Sequence, residues 1–442
     1  MKIKKILAGA IALTLSLSMI TGCSSSSGQS SSATDTQQSA TTDEQVTIKV
    51  FSNLPDRTSG QGLIEQTLFD NYMAENKNVT IEVEALDDES YKTKFKAYAT
   101  SSGMPDLVNV WGQPSFLDEV VEAGVLAELN PDDYTDYGFI NGALDGFTKN
   151  GKLYGLARNT DIMGFYYNKA LFEQYNVEVP ETYDDLLEIG KTFNDNGIIP
   201  VSMDGSDKYP LSIYLNDLLQ RIYGADCIDK VADAVETGEY PEEWTQAAQM
   251  MKDAADAGLF QTGFETTDYG TAMNLFTNGE AAMFYMGSWE MSMATNEDIP
   301  EETRNNIGVF MMPSVEGGAG TSKDICAWNG GGYSVSANSA VKDEAIKLLN
   351  YMFEPDNWSK LCWENGVCMS AQNFSDYLTG EETDLQMAFV DILNNSESIT
   401  GVTYNDLGSS EYKTVSEDGS VEITIGMTTF DDYFASLTAL AK

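Results

Sequence analysis

The chain has 442 residues, with 25 Lys and Arg against 69 Asp and Glu, a formal net charge of −44. It contains no histidine, which removes Ser–His and Cys–His nucleophiles, His-ligated metal sites and imidazole acid–base chemistry. A surplus of acid this large argues against nucleic acid as a partner, because phosphate binding needs clustered Lys and Arg. Hydrophobic residues make up 42% of the chain, enough to build a core despite the charge.

The chain opens on Lys2, Lys4 and Lys5, then an apolar stretch from Ile6 to Ile20 too short and poorly flanked for a membrane span. It ends in Thr21-Gly22-Cys23. This resembles a bacterial lipobox, which implies removal of residues 1–22 and a diacylglycerol on the Cys23 thiol. Thr21 and Ile20 are not the commonest lipobox residues, so the reading rests on Gly22-Cys23 and its context. From Ser24 to Thr42, 12 of 19 residues are Ser or Thr, so residues 23–43 are expected to form a flexible tether. A lipid at one end and a long soluble body at the other describe an exported protein held at the outer face of the cytoplasmic membrane. The remaining cysteines are Cys227, Cys326, Cys362 and Cys368. Export permits disulfides, and Cys362 with Cys368 is the nearest pair, although spacing alone establishes no bond. The absence of any C-x-x-C pair argues against zinc.

About 400 residues after the tether exceed one typical core, which predicts two domains. Val46, Ile48 and Val50 alternate with polar neighbours up to Phe51 and predict a strand. Ile64, Leu68 and Tyr72 recur at helical spacing. Ile81, Val83 and Ala85 give a second strand, Tyr91 to Ser101 a helix, and Leu107 to Val110 a strand after Pro105. Strand–helix–strand crossovers of this length imply a parallel sheet with helices on its faces. Ile162 to Tyr167 reads as another strand, leading into a helix over Lys169 to Tyr175. Thr182 is spaced to Asp185 as in a capping box, ahead of Leu186, Ile189 and Phe193, and Gly197 and Pro200 stop that helix. Late in the chain, Gly330 to Ser336 precedes Ala345, Leu348, Leu349 and Met352 on one helical face, ending at Pro355.

Ligands of open parallel sheets bind beyond the carboxyl ends of the strands. Two loops leave such ends with suggestive chemistry: Ser52 to Arg57 after the first strand, and Trp111 after the third. An apolar ring beside short polar groups suits a polyhydroxylated ligand. Its C–H face packs on the ring while carboxylates and amides satisfy its hydroxyls.

Four ordered segments carry a family resemblance. They are Ser102-Gly103-Met104-Pro105-Asp106-Leu107-Val108; Gly151 to Leu156 with Tyr166 to Phe172 and Pro180 to Leu186; Phe276 to Met283 running into Gly287-Ser288-Trp289; and Gly308 to Pro313 followed by Gly331 to Ser339. Together the set resembles the carbohydrate-type extracellular solute-binding proteins of ABC importers, which more often have Trp where Tyr183 stands. The resemblance implies a two-domain α/β fold of the periplasmic-binding-protein type II. Each domain would be a mainly parallel sheet flanked by helices, with the ligand in the interdomain cleft. Residues 44–157 plus 330–367 would form the N-terminal lobe, and 158–329 plus 368–442 the C-terminal lobe.

Carried over residue by residue, the resemblance implies ligand contacts at Asp56 and Arg57, a stacking ring at Trp111 and a hinge-side carboxylate at Asp161. It adds an acidic contact at Asp204 and a second stacking ring at Trp289. Trp328 and Asn329 flank the second crossing between lobes, and Asn53, Arg158 and Trp363 are further candidates. Pro114-Ser115 lacks the charged pair that some relatives carry there. Plainer readings stand beside these: Asp56 and Arg57 capping and pairing at a turn, Asp204-Gly205 forming only a turn, Trp289 packing in a core.

The function this implies is capture of a neutral mono- or oligosaccharide by hinge closure and delivery to the transmembrane subunits of an ABC permease, by a monomer without cofactor or metal. A polyamine or other cationic solute is the alternative ligand, which cleft carboxylates without stacking rings would favour. A secreted glycoside hydrolase using Asp161 and Asp204 is the rival from another class. Gly190-Lys191-Thr192 is no phosphate loop, because Asp185 stands where the earlier glycine is required.

Overall fold

In a computed structural model, residues 45–441 are described; the leader, Cys23 and the tether lie outside them. The strands in chain order are β1 (Val46–Ser52), β2 (Val79–Ala85), β3 (Leu107–Trp111), β4 (Thr148–Lys149), β5 (Lys152–Leu153), β6 (Leu156–Ala157), β7 (Asp161–Asn168), β8 (Ile199–Ser202), β9 (Ala281–Gly287), β10 (Ile307–Phe310), β11 (Asp324–Trp328), β12 (Gly331–Val335) and β13 (Ser398–Thr400). They form one sheet in the order β2-β1-β3-β12-β6, a second in the order β13-β11-β7-β9-β8 with β10 also on β7, and a small β4-β5 pair. Among the described residues no helix is long and apolar enough to cross a membrane.

Helices α1 (Gly60–Glu75), α2 (Asp88–Ala99) and α3 (Pro114–Glu122) follow the first three strands. β1 runs parallel to both β2 and β3, as helical crossovers require. The expectation of mainly parallel sheets needs correcting beyond that point. β12 enters antiparallel to β3 and to β6, and β7 is antiparallel to β9, β10 and β11. β7 follows β6, and β12 follows β11, across only a few residues that pass from one sheet to the other. With no helical crossover on the way, nothing obliges those strands to be parallel.

The cores explain why the apolar patterns are shaped as they are. Val50, Phe51, Val108, Val110, Tyr333, Leu348 and Trp358 share the core of the first sheet. The second sheet is covered on both faces. Met163, Phe165, Met283 and Tyr285 point to one core with Leu215 and Trp244. Ile162, Tyr166, Phe284 and Met286 point to the other with Ile325 and Phe389. A strand buried on both sides reads as a continuous apolar run, as Ile162 to Tyr166 does. Fully burying a side chain such as Phe165 stabilises by about 1.5–3 kcal/mol.

Helices α4 (Lys169–Tyr175) and α5 (Tyr183–Asp195) follow β7. At the start of α5, the Asp185 amide donates to Thr182 Oγ1 at 3.1 Å and the Thr182 amide donates to the Asp185 carboxylate at 2.9 Å. That is the reciprocal capping box the spacing predicts. Gly190 lies inside this helix, where a Cβ would stand 2.8 Å from Leu259, so its role is packing. Cys227, Cys326, Cys362 and Cys368 are buried free thiols.

Three passages of chain run side by side between the sheets. The Arg158 amide donates to Gly331 O at 2.8 Å, and the Thr160 amide to Met369 O at 2.9 Å. The Thr160 hydroxyl donates to Asn329 Oδ1 at 2.8 Å. Thr182→Ala, remote from these passages, should cost about 1 kcal/mol. Urea denaturation of wild type and variant would register it as a lower midpoint.

Candidate ligand-binding site

Chemistry gathers beside these passages, on the ends of β1 and β3 and on segments of the second sheet. Arg158 emerges next to Gly331 and donates to Asn53 Oδ1 at 2.9 Å. Asn53 in turn donates from Nδ2 to Asp88 at 2.9 Å. Burial works against the Asp88 charge, but the Lys92 ammonium and the Asn53 amide outweigh it and hold the carboxyl below its ordinary range. Asp161 is buried and accepts from Asn159 Nδ2 at 3.3 Å. Burial pushes its carboxyl up to about 6, against the opposing pull of Arg158 and Asn159.

The rings form a connected series. Trp111, half-buried at the end of β3, packs edge-on against Phe116 and Tyr91. The Lys92 ammonium of α2 lies 5.4 Å from the Trp111 ring centre and 5.8 Å from that of Tyr209. Tyr209 begins α6 (Tyr209–Tyr223) and lies 6.4 Å from Trp289. Trp289 lies edge-on to Trp328 at 6.3 Å. Trp289 Nε1 donates to the Tyr269 hydroxyl at 3.1 Å, and that hydroxyl donates to Glu290. Burial pushes the Glu290 carboxyl up to about 7, with the Tyr269 hydrogen bond opposing it and the Asp56 charge adding to it. Trp111 packs on the core of the first sheet, and Tyr209 and Trp289 on those of the second. The series therefore spans both.

Three of the thirteen buried polar atoms that lack partners among the described residues belong to this neighbourhood. They are Gln113 Oε1, Arg158 Nε and Asp204 Oδ2. Each such group carries a desolvation cost of about 1–3 kcal/mol, which a ligand hydroxyl would relieve. Asp204 follows β8 and accepts the Asp207 amide at 3.1 Å through its other oxygen. Burial, then the neighbouring Asp207 charge, pushes its carboxyl upward. Gly205 makes the turn possible, since a Cβ there would stand 2.4 Å from Phe264 O.

Other candidates from the sequence have different surroundings. Asp56 is exposed and accepts from Thr58 and Ser59, with Oδ2 receiving the Ser59 hydroxyl at 2.6 Å. Burial works against its charge, but these hydrogen bonds prevail and hold it below its ordinary range. Arg57 spends its donors on Glu65, Gln66 and Leu54 O. Asn329 accepts from Thr160. Trp363 is 1% exposed and stacks on Phe374 at 4.4 Å inside a core. Lys92, Asp88, Gln113, Tyr209 and Glu290 were not among the sequence candidates. Asp88 and Lys92 look like an ordinary i,i+4 pair on a solvated helix face, and only adjacency to Trp289 could have flagged Glu290. Among the described residues no group of three Cys, Asp or Glu side chains could hold a metal ion.

Residues 54–357 match the family model for bacterial extracellular solute-binding proteins. The chain belongs to that family. This solute-binding protein is 23% identical over 320 residues to the multiple sugar-binding protein of Streptococcus mutans, covering 70% of this chain and 71% of the relative. It is 24% identical over 258 residues to the galactooligosaccharide-binding protein of Bacillus subtilis, covering 57% of each. A solved structure from work on xylan utilization by the thermophilic bacterium Caldanaerobius polysaccharolyticus aligns with a TM-score of 0.80 at 25% identity. That alignment covers 89% of this chain and 99% of the other. The raffinose complex of RafE aligns with a TM-score of 0.71 at 21% identity, over 89% and 98%.

Glu290 yields a pH test. Its folded carboxyl keeps its proton up to about 7 against a reference of 4.5, so its stabilising contribution is present at acid pH and is lost as pH rises through that window. Melting curves from pH 5 to 8 should show Glu290→Gln losing less stability than wild type.

Proposed function

We propose that this protein captures a neutral mono- or oligosaccharide in a cleft between two lobes and delivers it to the transmembrane subunits of an ABC permease. The lobes are 44–157 plus 330–367 and 158–329 plus 368–442, with the three passages between the sheets as hinge. The observation that carries this reading is the ring series Trp111, Tyr209, Trp289 and Trp328 beside buried polar atoms that lack partners. Rings take the C–H faces of a pyranose, and carboxyl and amide groups take its hydroxyls. The sugar ligands named for relatives point the same way. Trp111, Trp289, Trp328, Asp161, Asp204 and Arg158 are the proposed contacts from the sequence, with Asn329 positioning the hinge. Asp56 and Arg57 shape the adjoining loop. Export, a lipid anchor on Cys23 and action as a monomer complete the proposal.

The deciding experiment is a thermal-shift screen of residues 44–442 against raffinose, stachyose, xylo-oligosaccharides and linear diamines. A ligand at 100 times its dissociation constant adds about 2.7 kcal/mol of stability. A sugar is expected to shift melting and to be recovered intact; turnover would favour the hydrolase reading instead. Trp111→Ala and Trp289→Ala should each weaken the sugar by about 10- to 100-fold without unfolding the protein. Isothermal titration would measure this, and unchanged affinity in both variants would remove stacking from the account.

A further inference from the structure

We propose that Lys92 is a specificity-determining residue that keeps cationic solutes out of the cleft by filling a ring-and-carboxylate cage with its own ammonium. The cage is built from α2 and the facing segments. Lys92 Nζ lies 2.8 Å from Asp88 and 2.7 Å from Glu89. It stands 5.4 Å from the Trp111 ring centre and 5.8 Å from that of Tyr209. Two aromatic faces with two carboxylates are what a small ammonium ion seeks when it leaves water. Here the chain supplies that ion itself, on a side chain only 21% exposed.

The arrangement has two consequences. A free amine can enter only by displacing a tethered ammonium already paired to both carboxylates, and it meets the charge of Lys92 on approach. A neutral ligand meets no such penalty and gains a donor. A lysine ammonium carries three N–H bonds, and Asp88 and Glu89 are its hydrogen-bonding partners here, leaving one for a ligand oxygen beside Trp111. The acid surplus of the chain by itself favours cations, and Lys92 offsets one of the two carboxylate charges of this cage. The saccharide half of this inference rests on the function proposed above; the amine half does not.

The test compares wild type, Lys92→Met and Lys92→Arg by isothermal titration with 1,4-diaminobutane, tetramethylammonium chloride and the best saccharide from the screen. Melting curves establish that each variant is folded. Lys92→Met is expected to bind at least one of the two ammonium probes, while wild type and Lys92→Arg, which keep a resident cation, bind neither. Loss of the spare donor should weaken the saccharide about tenfold in Lys92→Met. A folded Lys92→Met that binds both ammonium probes no better than wild type overturns the proposal, as does wild type binding them equally well. If no saccharide binds wild type, the sugar reading fails, and the ammonium comparison still decides the role of Lys92.

Discussion

Arg158 ties three stretches of chain together where they leave one sheet for the other. Its amide donates to Gly331, its carbonyl accepts from Ala371 and from the buried Trp358 indole, and its guanidinium reaches Asn53. Burying a guanidinium is tolerable only with partners of this kind, and here the partners come from separate parts of the sequence. The same residue that stitches the passages keeps a buried Nε without a partner. One residue thus joins the passages between the sheets to the loop after β1.

Around the ring series, burial and local cations divide the carboxyl groups. Asp88, beside Lys92 and Asn53, is held charged. Asp161, buried, and Glu290, half-buried, have weaker support and are pushed upward to about 6 and about 7. A charged carboxylate only accepts hydrogen bonds, whereas a protonated carboxyl donates as well. A wall holding both kinds can match sugar hydroxyls, which donate and accept in turn. A net charge of −44 would suggest a cation trap if charge alone decided, but desolvation and two internal cations redistribute its effect.

The local signals that succeeded are those in which short spacing contains the physics. The strand β1, the helix Lys169–Tyr175 and the Thr182–Asp185 capping box follow from alternation, helical period and one reciprocal pair of hydrogen bonds. The apolar run in β7 was legible for the same reason, since burial on both faces leaves no polar alternation. The antiparallel entry of β12 and β7 was not, because strand direction depends on a route through space that residue spacing does not encode.

The amino-acid sequence by itself determined the order of the opening strands and helices, the acid excess, the lack of imidazole chemistry and the presence of rings such as Trp111 and Trp289. The tertiary structure alone decided what each side chain faces. Trp363 and Trp289 are the same residue type, yet one stacks in a core and the other joins the ring series. Asp56 and Arg57 are satisfied within their own loop and helix, while Lys92, which looks like solvated helix surface, lies near both the Trp111 ring at the end of β3 and the Tyr209 ring at the start of α6. Burial and partnership are properties of distant segments brought together, so no window along the chain contains them.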